Sequence, residues 1–340
     1  MMYSPGEMKL ALAVFSLFSR LISRIKNLLY DRGVIKPRRA PLPVISVGNI
    51  SLGGTEKTPL AMELLSRLVA LGRRPALISR GYKGRWEKTG GVLSDGRAIL
   101  GTWQDGGDEP YLIARSFPAA GVYVGKDRLT SCQRAAEAGF DIAVLDDGFQ
   151  HRRLSRDLDI VLYSSEEKVA LREPLSALRR PDILLIKPGE KKGGAIDRQR
   201  SPWRGGVFTY SVITRGISDL RTRERVPAEG LAKTKLLAFC GIARPHRFSV
   251  TLREAGLEVV SFLRFPDHHP YPPVSLKKII RACRSQGADA LITTGKDAVK
   301  IADRGEELGD TPVYVLEIGL TIEPGFDDRL RTFLEKRRTA

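Results

Sequence analysis

Short apolar runs recur along this chain, each followed by glycines or a polar cluster, with stretches of helical period between them. Residues 44–47, 75–79, 122–124, 141–145, 159–163 and 182–186 form one series. Residues 236–240, 257–262, 288–293 and 312–316 form a second. Runs this short and this apolar read as buried strands. Their alternation with amphipathic segments such as 62–69, where Met62, Leu64, Leu65, Leu68 and Val69 recur, predicts an α/β protein. A parallel sheet covered on both faces is the architecture that suits this pattern. The polar, Gly/Lys/Arg-rich segment 188–205 reads as a surface connection. Residues 207–214 and 216–225 read as an extended pair bridging to a second, smaller α/β unit, and 326–340 as a basic terminal helix.

The N-terminus has its own pattern. Residues 10–18 are nearly all apolar, and Arg20, Arg24 and Lys26 then intervene. That run is too short for a hydrocarbon core needing about 20 residues. No small-residue cleavage site follows, which argues against a signal peptide. In a helix, Val14, Leu17, Phe18, Leu21, Ile25 and Leu28 share one stripe, with Ser16, Arg20, Ser23 and Asn27 opposite. Such a helix suits a membrane interface, and it equally suits packing on the protein's own core. Over residues 1–40, eight basic side chains face only Glu7 and Asp31, which favours anionic lipid. The expected division is therefore 1–40 (interface helix and basic linker), 41–215 (core domain) and 216–340 (smaller domain closing a cleft).

Composition sharpens this in two respects. The 340 residues carry a net charge of +17, with a pI near 10.0, so the partner is acidic: nucleic acid, an anionic membrane or a phosphorylated substrate. Cys132, Cys240 and Cys283 are isolated, which excludes a disulfide framework and a cysteine metal site.

The chemistry gathers at residues 44–60, VISVGNISLGGTEKTPL. Strand, glycine loop, Lys-Thr and helix follow the layout of a phosphate-binding P-loop. Loop amides and a helix N-terminus attract an anion, Lys57 adds a full charge, and the Thr58 hydroxyl suits Mg²⁺. Gly53, Gly54 and Thr55 lie in the turn. Two positions depart from G-x-x-x-x-G-K-[ST]. Ser51 replaces the first glycine, and Glu56 stands where glycine lets the backbone approach phosphate. A carboxylate ~5 Å from one phosphate charge costs about 3 kcal/mol at an effective dielectric near 20. A βα turn with no ligand would share the remaining features.

Three further places carry candidate chemistry. The strand at 141–145 ends in Asp146-Asp147, a carboxylate pair suited to Mg²⁺ in a P-loop enzyme. Alternation sends the two to opposite faces, so their tasks need not coincide. Asp108, in DGGDEP at 105–110, precedes a helix with Pro110 in its first turn, so helix capping and chemistry both fit. His268, in the loop FPDHHPY at 265–271, suits a partner for a carboxylate base better than half of a metal pair. Two glycines among the cations of 80–85, RGYKGR, suit an anion-contacting loop or a solvated turn.

These stretches, taken together and in order, resemble the tetraacyldisaccharide 4′-kinases, the lipid A 4′-kinases of Gram-negative bacteria. The resemblance rests on SVGNISLGGT with KTP in 46–59, SRGY at 79–82, GDEP at 107–110, DDGFQH at 146–151, LREPL at 171–175, GIARP at 241–245, FPDH at 265–268 and KDAVK at 296–300. It implies a P-loop kinase fold and transfer of the γ-phosphate of ATP, with Mg²⁺, to the 4′-hydroxyl of a tetraacyldisaccharide 1-phosphate, giving lipid IV-A. By position it gives phosphate and metal to Lys57 and Thr58, the metal side to Asp146 and Asp147, and the base role to Asp108 with His268 as its partner. Gln150, Arg172 and Glu173 would line the nucleotide cleft. It implies a glycolipid partner, an anionic membrane surface at the cytoplasmic face of the inner membrane, and no nucleic acid. The family carries Gly where Glu56 stands and Glu where Gly295 stands, an apparent exchange that would couple the two across the cleft. Two rivals remain: another membrane-associated P-loop ATPase or small-molecule kinase, and a basic lipid- or nucleic-acid-binding protein whose P-loop has decayed.

Overall fold

A computed structural model describes residues 25–51, 56–164, 171–189 and 205–336. Most of the N-terminal stripe, Gly53, Gly54 and Thr55, residues 190–204 of the polar connection and residues 337–340 lie outside them.

In chain order the strands are β1 (Val44–Asn49), β2 (Pro75–Ser79), β3 (Gly91–Asp95), β4 (Gly121–Val124), β5 (Ile142–Leu145), β6 (Leu158–Tyr163), β7 (Ile183–Ile186), β8 (Gly206–Asp219), β9 (Arg225–Val226), β10 (Leu236–Cys240), β11 (Val259–Arg264), β12 (Ala290–Thr294) and β13 (Val313–Ile322). They form one sheet in the order β11-β10-β12-β13-β8-β7-β6-β1-β5-β2-β4-β3, with β9 beside β8. Nine of its pairings are parallel, as the apolar runs predict. The pairings β3·β4, β8·β13 and β8·β9 are antiparallel.

The β8·β13 pairing decides where the site lies. Thr209 of β8 pairs with Ile186 at the carboxyl end of β7, and β8 then runs on past that end. There Tyr210 pairs with Ile322, the last residue of β13. Strands of the second half therefore run toward the first half, and the carboxyl ends of both sets face one another. Ligands of open parallel sheets bind at those ends. Residues 207–225 are thus not a hairpin. Residues 206–219 form one strand whose partners lie in both halves, and only Arg225–Val226 folds back, onto Ile217 and Ser218.

The helices used below are α1 (Lys57–Ala70), α2 (Asp108–Ser116), α3 (Arg128–Glu137), α4 (Pro245–Glu254), α5 (Gly295–Ile301) and α6 (Gly325–Lys336). The apolar stripe of α1 is fully buried at Leu60, Leu64, Leu65 and Leu68, each contributing about 2 kcal/mol. It packs in one cluster with Ile45 and Val47 of β1 and with Leu320, Ile322 and Phe326 from the second half. That shared core fixes the second half against the phosphate-loop helix. Asp127 caps α3 through the amides of Leu129 and Thr130, and Gly139 (φ 81°) ends it. A stretch at 25–31 is helical and docks by Lys26 on the Gln150 carbonyl and by Asp31 on Arg152. Among the described residues no helix is long and apolar enough to cross a membrane.

One glycine in β1 is needed for close approach. A Cβ at Gly48 would lie 2.4 Å from the Phe149 Cβ and 3.0 Å from its backbone nitrogen. Phe149 is fully buried, so neither can yield cheaply. Gly48→Ala should cost about 1–3 kcal/mol, read as a lowered urea midpoint. An unchanged midpoint would mean that the β1–Phe149 contact is looser than described.

Candidate active site

β1 ends at Asn49, and α1 begins at Lys57, so strand and helix present their ends to the same space. The Lys57 ammonium is 2.9 Å from Asp147 Oδ1 and donates to Asn49 Oδ1 at 3.3 Å. Asn49 stands in the SVGNISLGGT stretch, but what it touches was not legible there. Thr58, in the first turn of α1, is buried and lines the same cavity.

The turn after β5 carries the carboxylate pair. Its amides are tied down, Asp146 N–H to the Ile78 carbonyl and Gly148 N–H to that of Val47. Asp147 is left-handed (φ 51°), a costly conformation for a residue with a side chain. The two side chains take different partners, but strand alternation is not the reason, because β5 ends at Leu145 and both residues lie in the turn. Asp147 also accepts from Arg172 at 2.8 Å. Burial would raise its carboxyl, but Lys57 and Arg172 outweigh that and hold it well below the usual carboxylate range. Asp146 turns inward, accepting from the Ser79 hydroxyl at 3.2 Å, while the buried Arg128 guanidinium lies against its carbonyl. Burial, with the charges of Glu109 and Asp147, pushes the Asp146 carboxyl up to about 7.

Magnesium fits this arrangement. Asp146 Oδ1 is buried without a hydrogen-bond partner and feels the charges of Glu109 and Asp147, and Thr58 lines the same cavity. A divalent cation would offset that charge. The described residues hold no group of three or more His, Cys, Asp or Glu placed for a metal. Mg²⁺ needs none, since it binds through one or two carboxylates together with substrate phosphates.

Across the cavity, Asp108 opens α2. The helix starts from Gly107 (φ 89°), and the Asp108 Oδ1 accepts from the Glu109 amide of the first turn at 3.0 Å. The same carboxylate meets His268, whose Nδ1 is 3.0 and 2.9 Å from its two oxygens. An ionised carboxylate only accepts, so Nδ1 carries the proton. His268 sits left-handed (φ 62°) in the loop after β11, its amide bonded to the Gly241 carbonyl. The dyad thus takes one member from each half of the sheet. Lys300 lies 3.6 Å from Asp108 and 2.9 Å from Asp297, and Lys296 pairs with Glu109 at 2.6 Å. Burial works against the Asp108 charge, but the His268 hydrogen bond and Lys296 prevail and hold the carboxyl down to about 2. The ionised form therefore stabilises the fold above the ordinary carboxylate range, and this is lost as pH falls through about 2. His268→Ala removes the largest favourable contribution. Its acid limb in a pH–rate profile should move upward and its maximal rate should fall about 10–100-fold. An unmoved limb would sink the pairing.

One large cavity of about 1790 Å³ contains Lys57, Thr58, Asp108, Asp146, Asp147, Gln150, Arg172 and His268. Ligand clefts for one drug-sized molecule are about 300–1,000 Å³, so two reactants can share it. Gln150 donates to the Asn49 carbonyl at 2.7 Å. Glu173 does not join them. It is buried 1% exposed, ion-paired with Arg180, and accepts from Asn27 at 2.7 Å. Arg172 and Glu173 sit in a bend with both amides on the Ile50 carbonyl, and from it Arg172 reaches the cleft while Glu173 anchors the helical stretch at 25–31. Arg128, Ser79, Glu109 and Lys296 complete the surroundings; Ser79, Glu109 and Lys296 lie in stretches that carry the family resemblance but were given no role, and Arg128 lies in none. Glu56, whose expected counterpart was position 295, is paired instead with Arg247 and Tyr210. A Cβ at Gly295 would meet Leu112 at 3.4 Å.

Comparison with known proteins agrees over nearly the whole chain. The sequence model described as Tetraacyldisaccharide-1-P 4'-kinase matches residues 8–335. The tetraacyldisaccharide 4'-kinase of Syntrophus aciditrophicus is 40% identical, covering 94% of this chain and 92% of its own. That of Desulfotalea psychrophila is 37% identical, covering 90% and 91%. LpxK from Aquifex aeolicus, solved in complex with ATP, superposes with a TM-score of 0.76 at 30% identity, covering 97% of this chain and 99% of its own.

Proposed function

The chain belongs to the tetraacyldisaccharide-1-P 4'-kinase family, and from that premise we propose how its cleft carries out the transfer. It is an ATP-dependent kinase of lipid A synthesis, moving the γ-phosphate to the 4′-hydroxyl of tetraacyldisaccharide 1-phosphate and so forming lipid IV-A. Phosphoryl transfer asks a protein for positioning and charge compensation more than for covalent chemistry. Lys57 and the N-terminus of α1 hold the terminal phosphates. Arg172 and Gln150 line the nucleotide side. Bound Mg²⁺ would be held by Thr58 and Asp146, with Asp147 beside it, and would neutralise charge growing on the phosphate oxygens.

The sugar hydroxyl comes from the other side. Asp108 accepts its proton, and His268 fixes the carboxylate by donating from Nδ1. This dyad, 2.9 Å apart and drawn from both halves, is the observation that carries the reading. It is complete only when the two halves meet, so residues 41–215 act as the nucleotide-holding unit and 216–340 as the unit that closes the cleft. The basic N-terminal segment would meet the anionic leaflet from which a glycolipid is drawn, and its charge supports work at the cytoplasmic face of the inner membrane. The chain's +17 charge suits both that surface and the substrate's 1-phosphate.

The test is incubation with γ-labelled ATP, magnesium and the disaccharide acceptor in detergent. Label on the lipid is the expected result. Hydrolysis of ATP with an unlabelled lipid would overturn it.

A further inference from the structure

Glu56 stands directly before Lys57, with a left-handed backbone (φ 55°, ψ 22°). A carboxylate here has two harmful courses. Folded back on α1, it occupies the amides that a phosphate needs. Pointed at the ligand, it repels the triphosphate. It takes neither. It makes no capping hydrogen bond to α1. Its side chain is 9% exposed and ion-paired with Arg247, and the Tyr210 hydroxyl donates to it at 3.4 Å. Arg247 lies in the first turn of α4, in the second half of the sheet.

Two further pairs continue this contact. Glu63 pairs with Arg215 of β8. Arg67 pairs with Asp327 of α6, and its guanidinium lies 5.4 Å from the Phe326 ring centroid. Positions 63 and 67 are four apart and share one helical face, and Glu56, just before the helix, reaches the second half at its N-terminal end. That face of α1 is a charged seam against the second half, and Glu56 is its end nearest the phosphate site.

We propose that Arg247 is a positioning residue for the nucleotide: it draws the Glu56 carboxylate into the seam, away from Lys57 and the α1 N-terminus. This lets a chain without the usual glycine take a triphosphate, and it ties phosphate binding to docking of the second half on α1. The inference rests on the nucleotide reading above. Without Arg247, the helix dipole pulls the carboxylate toward the α1 amides, where it competes with phosphate.

The experiment is a double-mutant cycle on the full chain, with binding of a fluorescent ATP analogue measured alongside kcat and KM. Arg247→Ala should weaken nucleotide binding about tenfold or more, with kcat at saturating ATP changed far less. Glu56→Gly should bind as well as the unaltered protein or better. The double variant should bind within about twofold of Glu56→Gly, because the charge that competes with phosphate is already gone. Arg247→Gln, which keeps most of the packing, carries the same expectation should the alanine variant not fold. Equal losses from removing Arg247 in both backgrounds, or no loss in either, overturn the inference. An unaltered protein that binds no nucleotide overturns the nucleotide reading and this inference with it.

Discussion

Asp108→Asn should lower the single-turnover rate of phosphate transfer by about 10²–10⁴-fold, the range for losing a general base. The change is isosteric, so the pocket keeps its shape. Lys300 retains Asp297 at 2.9 Å and Lys296 retains Glu109 at 2.6 Å, so no ammonium is left stranded. Nucleotide affinity should change less than about threefold, because this carboxylate addresses the acceptor. The loss should therefore fall on kcat rather than on KM for ATP. A rate within about tenfold of the unaltered protein would assign Asp108 to the architecture of α2 and not to the chemistry. Asp108 is 5% exposed and ionised down to about pH 2, so the unaltered protein has no acid limb from this group near neutrality. A limb there has to come from another residue.

Lys57→Ala should be about as damaging and differently distributed. Its ammonium is 2.9 Å from Asp147, in position to exchange that carboxylate for a phosphate when nucleotide enters. Removing it takes away a preorganised charge worth about 10²–10³ in rate. Nucleotide affinity should fall as well, since the charge acts on ground and transition states alike. Asp147 keeps Arg172 at 2.8 Å, so the turn after β5 should hold and the melting temperature should move little. Titration with ATP, followed by transfer at saturation, separates the two losses. Undiminished affinity and rate would mean that the triphosphate lies elsewhere in the cavity.

Much of this was legible because it is local. The strand–loop–helix at 44–70 needs only apolar alternation, glycine and a helical stripe. Asp146 and Asp147 were legible as a carboxylate pair at a strand end, while their different directions come from the turn and the left-handed Asp147. Asp108 was ambiguous, since a carboxylate beside a helix start caps as readily as it reacts. What resolved it was His268, 160 residues away. Asn49, Ser79 and Lys296 stand in the quoted motifs and Arg128 in none, but what each one touches was not legible, because the neighbours come from distant segments. Glu173 was misread for a related reason: adjacency to Arg172 says nothing about which way a side chain faces once the segment is packed.

The sequence alone determined the parallel α/β character, the strand–loop–helix layout of β1 and α1, and the membership of a lipid kinase family, since periodicity and ordered motifs are written along the chain. Tertiary structure alone decided that 206–219 is one strand serving both halves, that the two sets of carboxyl ends face each other, and that Glu56 is neutralised by Arg247. Each of those depends on which distant segments pair, and pairing is settled by burial and hydrogen bonding summed over the whole fold.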